Sequence, residues 1–548
     1  MTELTPQQQF DNIVSTYLEN INTLTDKTPE FEIRFGTKGY RKISKNNFDD
    51  VVQRLKSYGM NMISNSAPSL KMKSEYINKE TGRTQQSNVR VEINGLHQIQ
   101  EYCKLNTIDT DRIHPTFVQK SAVFINDKKL YPVDINDYNL RADFQTEKSI
   151  TSHSSFAQNI KSNWNDNKKT FRYITRTTFQ HTDYPIRFDL SIVKEGKTEE
   201  VEFRGRKKLQ QKPEYTIEAA DVFNDIEKYE IELEVVNNQV GAGTNFNDVK
   251  KLSTVLKKAV RLILSGLQNT NYPVPYSEIN DIGIQYLKLV HKKDYNVKMR
   301  MRSNMFLGPQ PVTLQMINIS PINDDVISPN IRNKYTVTEK ADGMRKLLFI
   351  NKDGKIFLID TNMNIQFTGA LTKNVDLFES ILDGEHILHN KKGEFINLYA
   401  AFDIYIVNKK DIRANPFIRD IDSSEIETKF RLPVLVNVIQ NLNAVSSFAD
   451  KPSPMRIDHK NFKAESESQS IFQCCNTIID QEKQGLYEYE VDGLIFTPAT
   501  LGAGGNIPGE AGPLKKATWE HAFKWKPPEF NTIDFLVTTK KDANGSGD

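Results

Sequence analysis

A series of short segments between residues 30 and 236 alternates polar and apolar residues, and this pattern limits the possible folds most strongly. The segments include EFEIRFG, NVRVEI, LRADF, FRYITRTTF, IRFDLSIV, VEFRGRK and YEIELEVV. Strict alternation places successive side chains on opposite faces of a β-strand. Many such strands within one stretch of chain favour a closed antiparallel barrel.

The polar faces of these strands carry acidic and basic residues together. Residues that share a strand face are Glu30, Glu32 and Arg34 in the first strand, then Arg90 with Glu92, Arg141 with Asp143, Arg172 with Arg176, Arg187 with Asp189, and finally Glu230, Glu232 and Glu234. For one strand alone, the simplest interpretation is a charged face in water. Inside a closed barrel, unpaired like charges are costly. The glutamates then indicate a cation such as Mg²⁺ or Mn²⁺, and the arginines indicate a phosphate chain. Phosphoryl transfer requires both.

Paired Glu-x-Glu strands at the two ends of a domain, with basic strands between them, resemble the triphosphate tunnel metalloenzymes. More narrowly, they resemble the metal-dependent RNA triphosphatases of fungi, protists and large DNA viruses. The resemblance covers roughly residues 25–236 and implies hydrolysis of the RNA 5′ γ-phosphate. It implies metal binding by Glu30, Glu32 and Glu234, and a water-orienting catalytic role for Glu232. The triphosphate contacts that it implies are Arg34, Arg90, Arg172, Arg176 and Arg187.

The second half of the chain contains Lys340 beside a D-G dipeptide, in EKADGMR. A free lysine has a pKa of about 10.4, so a nucleophilic lysine needs nearby cations that depress that pKa. Lys524 and Lys526, in FKWKPPEF, are candidate cations. The segments LDGEHI and EVDGLIFTP supply carboxylates. A single D-G dipeptide usually marks a turn, so an ordinary surface lysine remains the alternative for Lys340.

The order of the motifs K-x-D-G-x-R, D-G-E, F-D, D-G-L-I-F and K-x-K resembles the covalent nucleotidyltransferases, namely mRNA guanylyltransferases and ATP-dependent ligases. In that family the lysine attacks the α-phosphate of a nucleoside triphosphate and releases pyrophosphate. The resemblance implies that Lys340 is the nucleophile and that Asp492 serves the metal and the phosphates. Its other implied contacts are Arg345 and Glu385 at the ribose, Phe402 on the base, Lys524 and Lys526 at the α-phosphate, and Asp534 beside them.

A triphosphatase-like region followed by a guanylyltransferase-like region resembles the bifunctional mRNA capping enzymes of poxviruses and giant DNA viruses. This resemblance implies that the substrates are GTP and an RNA 5′ end, and that the cofactor is Mg²⁺ or Mn²⁺. It also implies a methyltransferase partner, an oligonucleotide-binding (OB) domain partner, or a further C-terminal region. Two alternatives stay open: an ATP-dependent polynucleotide ligase with an appended barrel, and a non-catalytic module that binds RNA ends.

We therefore expect an α+β chain. A triphosphatase tunnel domain is expected over residues 1–240, and a mixed α/β guanylyltransferase domain over residues 241–530. Residues 531–548 are expected to be the start of an OB fold or a tail, with the rest of that fold essentially missing.

The composition limits the location and the partners of the protein. A net charge of only +2 means that nucleic acid must be bound by local basic patches. Three cysteines without a C-x-x-C motif favour neither a disulfide framework nor a zinc site. The polar N-terminus and the lack of a long apolar run predict an intracellular protein without a membrane partner, in the host cytoplasm or the virion.

The segment LGAGGNIPGEAGP lacks the G-K-[ST] ending of a phosphate loop and predicts a mobile surface loop.

Overall fold

The fold is given by a computed structural model. It describes residues 4–530 apart from 24–25, 38–40, 66, 79–81, 204–205, 323–327 and 420–426, together with residue 535. The chain divides into two compact units, Met1–Tyr276 and Ser277–Asp548. No helix in the described ranges has both the length and the apolar character that a bilayer crossing needs.

The first unit contains six helices and fifteen strands among its described residues. The helices are α1 (Pro6–Asn20), α2 (Lys45–Ser57), α3 (Leu96–Leu105), α4 (Ser155–Ser162), α5 (Ile217–Ala220) and α6 (Val249–Leu267). The strands are β1 (Thr28–Phe35), β2 (Asn61–Asn65), β3 (Ser69–Ile77), β4 (Thr84–Gln86), β5 (Val89–Asn94), β6 (Thr116–Ala122), β7 (Phe124–Ile125), β8 (Lys128–Lys129), β9 (Val133–Ile135), β10 (Leu140–Ile150), β11 (Lys169–Gln180), β12 (Ile186–Glu195), β13 (Thr198–Phe203), β14 (Arg206–Gln211) and β15 (Lys228–Val235).

Eight strands of this unit close into an antiparallel barrel. They follow the order β11-β12-β15-β1-β10-β6-β5-β3, and β3 pairs back onto β11. This confirms the barrel predicted from the alternating segments. The segment VEFRGRK is different, because it lies in the separate hairpin β13–β14.

The apolar faces of the barrel strands point outward, where helices cover them. Phe31 and Ile33 of β1 are fully buried in one cluster with Tyr17 of α1, Val51 of α2 and Leu256 of α6. A second cluster joins the opposite strands to α3 and α4. Because side chains alternate across each strand, the charged faces are left to line the interior.

Side-chain caps define the starts of two helices that cover the barrel. The hydroxyl of Ser44 caps α2 in a reciprocal capping box with Asn47. Asp248 caps α6. The apolar stripe of α6 packs into the same cluster as α1 and α2. The first unit therefore includes α6 and extends to Tyr276.

The second unit contains two sheets and three helices among its described residues, which agrees with the predicted mixed α/β fold. Its helices are α7 (Tyr276–His291), α8 (Arg431–Asn441) and α9 (Ile471–Lys483). Its strands are β16 (Pro309–Thr313), β17 (Tyr335–Ala341), β18 (Met344–Ile350), β19 (Lys355–Asp360), β20 (Ile365–Leu371), β21 (Ser380–His389), β22 (Phe395–Val407), β23 (Lys410–Asp411), β24 (Val445–Ser446), β25 (Arg456–His459), β26 (Lys463–Ala464), β27 (Val491–Pro498) and β28 (Ala517–Trp525).

The two sheets of this unit meet at the predicted D-G turn. One sheet has the order β16-β28-β27-β17-β26, and the other has β23-β22-β21-β18-β19-β20-β24 with β25 beside β22. Asp342 and Gly343 join β17 of the first sheet to β18 of the second. Lys340, near the end of β17, therefore lies where the chain passes from one sheet to the other.

Candidate active sites

The predicted acidic strands meet inside the barrel. Glu32 of β1 lies opposite Glu234 of β15, and Arg34 lies opposite Glu232. On the other side of β15, Arg187 of β12 lies opposite Glu234. The first and last strands of the barrel are therefore neighbours, although nearly the whole barrel sequence separates them.

Each predicted metal-binding carboxylate is held by a cation of the chain. The pairs are Glu30 with Lys120 at 2.7 Å, Glu32 with Arg34 at 3.1 Å, and Glu234 with Arg187 at 2.5 Å. In the part of the chain that the structure describes, no three His, Cys, Asp or Glu side chains are grouped closely enough to hold a metal ion. The three carboxylates thus have different nearest cations, although Lys120 also lies 3.8 Å from Glu32.

The chemistry of this donor set nevertheless fits a hard divalent cation. Glu30, Glu32 and Glu234 offer carboxylate oxygens, which Mg²⁺ and Mn²⁺ prefer. Burial, together with the nearby charges of Glu232 and Glu30, raises the pKa of Glu32 to about 7 against the opposing charges of Lys120 and Arg34. Buried carboxylates under such mutual repulsion would be stabilised by a divalent ion.

The predicted triphosphate-binding arginines also lie inside the barrel. The pairs are Arg34 with Asp143 at 3.5 Å, Arg90 with Glu147 at 3.4 Å, Arg172 with Glu195 at 2.9 Å and with Glu230 at 2.5 Å, and Arg176 with Asp189 at 3.0 Å and with Glu232 at 3.4 Å. The interior is therefore a network of alternating acids and bases. A polyanion and a divalent cation could each replace one set of partners in this network.

The sequence reasoning missed three interior lysines, Lys71, Lys73 and Lys120. Lys71 lies 3.5 Å from Glu92. Burial, followed by the nearby charges of Arg90 and Arg172, lowers the pKa of Lys73. A cavity of about 530 Å³ is lined partly by Lys71, Lys73 and these arginines. The alternation of polar and apolar residues in SLKMKSEYI places Lys71 and Lys73 on the polar face of a strand, and this pattern could have identified them.

In the second unit, Lys340 and Lys526 bracket one carboxylate. Lys340 Nζ donates to Asp492 Oδ1 at 2.6 Å, and Lys526 Nζ lies 2.6 Å from Asp492 Oδ2. Burial alone would raise the pKa of Asp492, but the hydrogen bonds from the two lysines lower it. Lys524 is exposed on β28 and makes no ion pair within the described residues. Asp534 lies outside the described residues.

The buried carboxylate of Asp383 fixes the position of Arg345, whose guanidinium lies between two aromatic rings. Its Nε and Nη2 donate to Asp383 at 3.1 and 2.5 Å, and its Nη1 donates to the carbonyl oxygen of Pro309 at 2.8 Å. Its guanidinium lies 5.5 Å from the ring centre of Phe306 and 5.6 Å from that of Phe402. The structure thus places Phe402 beside Arg345, as expected for two residues of one site.

Glu385 completes this part of the site. It lies opposite Arg345 in the pairing of β18 with β21. Burial raises the pKa of Glu385 to about 7, while Lys460 and Arg345 oppose the shift. Lys460 is a buried lysine that the motifs did not reveal, and its Nζ donates at 2.9 Å to the carbonyl oxygen of Glu339, the residue before Lys340.

The Gly/Pro-rich segment 501–513 is a loop, as predicted, with residues 506–510 exposed, but its beginning is packed into the unit. Residues 501–503 and Gly505 are buried. Arg431, which is fully buried beside Asp403, donates to the carbonyl oxygen of Leu501 at 3.0 Å. Arg413 donates to that of Gly512 at 3.0 Å. These arginines satisfy the polar backbone that a surface loop would expose to water.

Comparison with known proteins gives a family match in the second half of the chain. Residues 274–528 match the family model described as mRNA capping enzyme, catalytic domain. A probable mRNA-capping enzyme of Acanthamoeba polyphaga mimivirus is 25% identical over 358 residues, which are 58% of this chain and 26% of that protein. The mRNA-capping enzyme of Danio rerio is 24% identical over 250 residues, which are 44% of this chain and 36% of that protein. The chain thus spans between about a quarter and a third of the length of these relatives.

Among solved structures, the S. pombe RNA triphosphatase in complex with the Spt5 CTD covers 46% of this chain and 91% of its own chain. The identity is 11% and the TM-score is 0.26, which is too low to establish a shared fold. The description of the barrel therefore rests on its own strand order. The region that contains Lys340 and Asp492 is thus similar over residues 274–528 to the catalytic domain of mRNA capping enzymes.

Proposed function

We propose that the chain performs two consecutive steps of mRNA 5′ capping. The first unit would hydrolyse the γ-phosphate of an RNA 5′ triphosphate, and the second would transfer GMP from GTP to the resulting diphosphate end. The observation that carries this proposal is the contact of Lys340 and Lys526 with Asp492 inside the region that matches capping enzymes. The giant-virus relative supports a viral protein that acts in the host cytoplasm or the virion.

Lys340 would be the nucleophile of the second unit. Its neutral amine attacks the α-phosphorus of GTP, a nitrogen–phosphorus bond forms, and pyrophosphate leaves with the electrons of the broken phosphorus–oxygen bond. The amine must first lose a proton, and the Asp492 carboxylate, which accepts a hydrogen bond from Lys340 Nζ at 2.6 Å, would take it. A β-phosphate oxygen of the RNA then attacks the same phosphorus, which releases the Lys340 amine.

Other residues of this unit would bind and orient the nucleotide. Arg345, already fixed by Asp383, and Glu385 would contact the ribose. Phe402 would stack on the base, which aromatic side chains do readily. Lys524 and Lys526 would neutralise charge that develops on the α-phosphate, because cations near a transferring phosphoryl group stabilise its transition state. Asp492 would contact the metal ion and the phosphates. We propose that Asp534 also contributes to this site.

The tunnel would hold the triphosphate between its acids and bases. Glu30, Glu32 and Glu234 would hold Mg²⁺ or Mn²⁺, which neutralises phosphate charge when bound. Arg34, Arg90, Arg172, Arg176 and Arg187 would bind the phosphate oxygens. Glu232 would orient the attacking water.

Labelling of the chain with nucleotide tests this function. The full chain is incubated with α-labelled GTP or ATP and a divalent metal, and acid-labile label on the protein is measured. We expect label from GTP that Lys340→Ala abolishes, while Lys352→Ala, an exposed lysine of the same unit, keeps it. Preference for ATP would identify a ligase instead. Label retained in Lys340→Ala would contradict the nucleophile assignment.

A further inference from the structure

Lys120 is the chain's own cation on the acidic side of the tunnel. Its Nζ lies 2.7 Å from Glu30, 3.8 Å from Glu32 and 3.5 Å from Glu147. The Lys120 side chain is 30% exposed, so it is not fully enclosed by its partners. Lys120 thus partly neutralises the negative charge of these three carboxylates.

The strand order explains why Lys120 can reach these acids. Lys120 of β6 lies opposite Glu147 of β10, and Glu30 of β1 lies opposite Gln145 of β10. Gln145 is neutral, and its amide donates to Asp143 at 2.7 Å. The Lys120 side chain therefore extends across β10 to β1, where it forms an ion pair with Glu30.

A divalent ion on Glu30 and Glu32 would compete with this ammonium. Like charges that share carboxylate oxygens a few ångströms apart repel strongly inside a protein, where screening is weaker than in water. The ammonium must therefore move away before or while the ion binds. Glu32 is also paired with Arg34 of the same strand, and Glu234, the third carboxylate of the proposed metal site, is paired with Arg187 of the neighbouring strand β12.

We propose that Lys120 is a placeholder cation, which neutralises Glu30 and Glu32 until a divalent ion displaces it into the tunnel, where it binds phosphate. This rests on the metal site of the proposed function. It implies an order of binding, in which the metal comes first and raises the affinity for a triphosphate. Glu147 lies 3.5 Å from Lys120 and 3.4 Å from Arg90, and Arg90 lines the basic cavity, so the ammonium is already near that cavity. A released ammonium there adds to a set of cations that a polyphosphate would bridge.

Metal affinity without substrate tests the first half of this proposal. Mn²⁺ binding is measured by calorimetry on the full chain carrying Asp492→Asn, which silences the second predicted metal site. We expect Lys120→Met to lower the Kd for Mn²⁺ at least tenfold. Lys228→Met is the matched control, because it removes another barrel lysine that pairs with a glutamate, Glu195 at 2.6 Å. We expect its Kd to stay within twofold. An unchanged or higher Kd in Lys120→Met overturns the proposal.

Binding of inorganic tripolyphosphate tests the second half. Glu232→Gln is added to block turnover, and affinity is measured with and without Mn²⁺. We expect Mn²⁺ to tighten tripolyphosphate binding at least tenfold, and Lys120→Met to remove most of that gain. A gain that is as large in the variant overturns the proposed release. If Lys120→Met fails to fold, Lys120→Gln takes its place, with the unfolding temperature as the check.

One further variant separates this proposal from the proposed function. Glu32→Gln should weaken Mn²⁺ binding if the metal site is correct. Weakening in Glu32→Gln without tightening in Lys120→Met rejects only the placeholder role. No effect in Glu32→Gln rejects the metal site itself, and with it the placeholder role.

Discussion

Arg345 and Asp383 form a two-bond ion pair in the second unit, with the Asp383 side chain fully buried. Tyr405 adds a hydrogen bond at 2.6 Å to the same carboxylate. Because both ends of the pair are fixed, the guanidinium has a defined position between Phe306 and Phe402. A rigid arginine loses less conformational entropy when it binds a ligand.

Removal of the Asp383 charge should therefore cost stability and activity together. Asp383→Asn leaves the Arg345 charge without its partner, and we expect a loss of about 3 kcal/mol or more in the free energy of unfolding. Nucleotide labelling should fall as well. Tyr405→Phe removes one hydrogen bond and keeps the ion pair, so we expect a loss of about 1 kcal/mol. Urea unfolding compares the two variants, and equal losses would contradict this account.

The packing of the Gly-rich segment should be sensitive to one methyl group. A Cβ on Gly505 would lie 2.1 Å from the carbonyl oxygen of Glu510. Gly505→Ala must therefore open the segment, and we expect a lower unfolding temperature and faster cleavage by thermolysin between residues 501 and 513. Gly509→Ala is the matched control, because no atom lies within 4 Å of its Cβ. Its positive φ of +83° should cost only about 1 kcal/mol. Similar behaviour of both variants would argue against tight packing.

The stability of the second unit should fall in mild acid because of His386. Burial, and then the charge of Lys346, lower the pKa of His386 from 6.5 to about 4. The unfolded chain binds a proton at this side chain below pH 6.5, whereas the folded chain does not until about pH 4. Stability is therefore lost as the pH falls from 6.5 to 4, by about 2 kcal/mol between pH 7 and pH 5.

Urea unfolding at these two pH values, followed by the fluorescence of Trp519 and Trp525, measures this loss. Other groups titrate in the same range, so the comparison that matters is with His386→Asn. That variant is less stable at both pH values but should lose about 2 kcal/mol less than the wild type on acidification. An equal loss in both proteins would rule out the contribution of His386.

The two proposed activities should be separable by single substitutions in the full chain. Glu232→Gln should lower phosphate release from triphosphate RNA at least a hundredfold, because the attacking water loses its partner. The same variant should keep its labelling by GTP. Lys340→Ala should show the reverse pattern. Loss of both activities in either variant would point to misfolding or to a shared site, and circular dichroism distinguishes these outcomes.

Local sequence patterns predicted much of this protein. Alternation in EFEIRFG and YEIELEVV identified the strands and the faces that carry Glu30, Glu32, Glu232 and Glu234, because side-chain direction in a strand depends only on a period of two. The succession of short motifs identified the second unit, which the family match over residues 274–528 supports. The roles assigned to individual residues stay predictions.

The cation that meets each acid was decided by the tertiary structure. Lys120 and Glu30 are 90 positions apart, and Lys340 and Asp492 are 152 apart, so no local pattern pairs them. The pairing of β6 and of β1 with opposite edges of β10 brings the first pair together, and the pairing of β17 with β27 brings the second. The Gly-rich segment shows the same limit, because its composition indicated a loop while Arg413 and Arg431, outside the segment, determine that it is packed. Composition and periodicity specify local geometry, whereas electrostatic partners depend on how distant strands are paired.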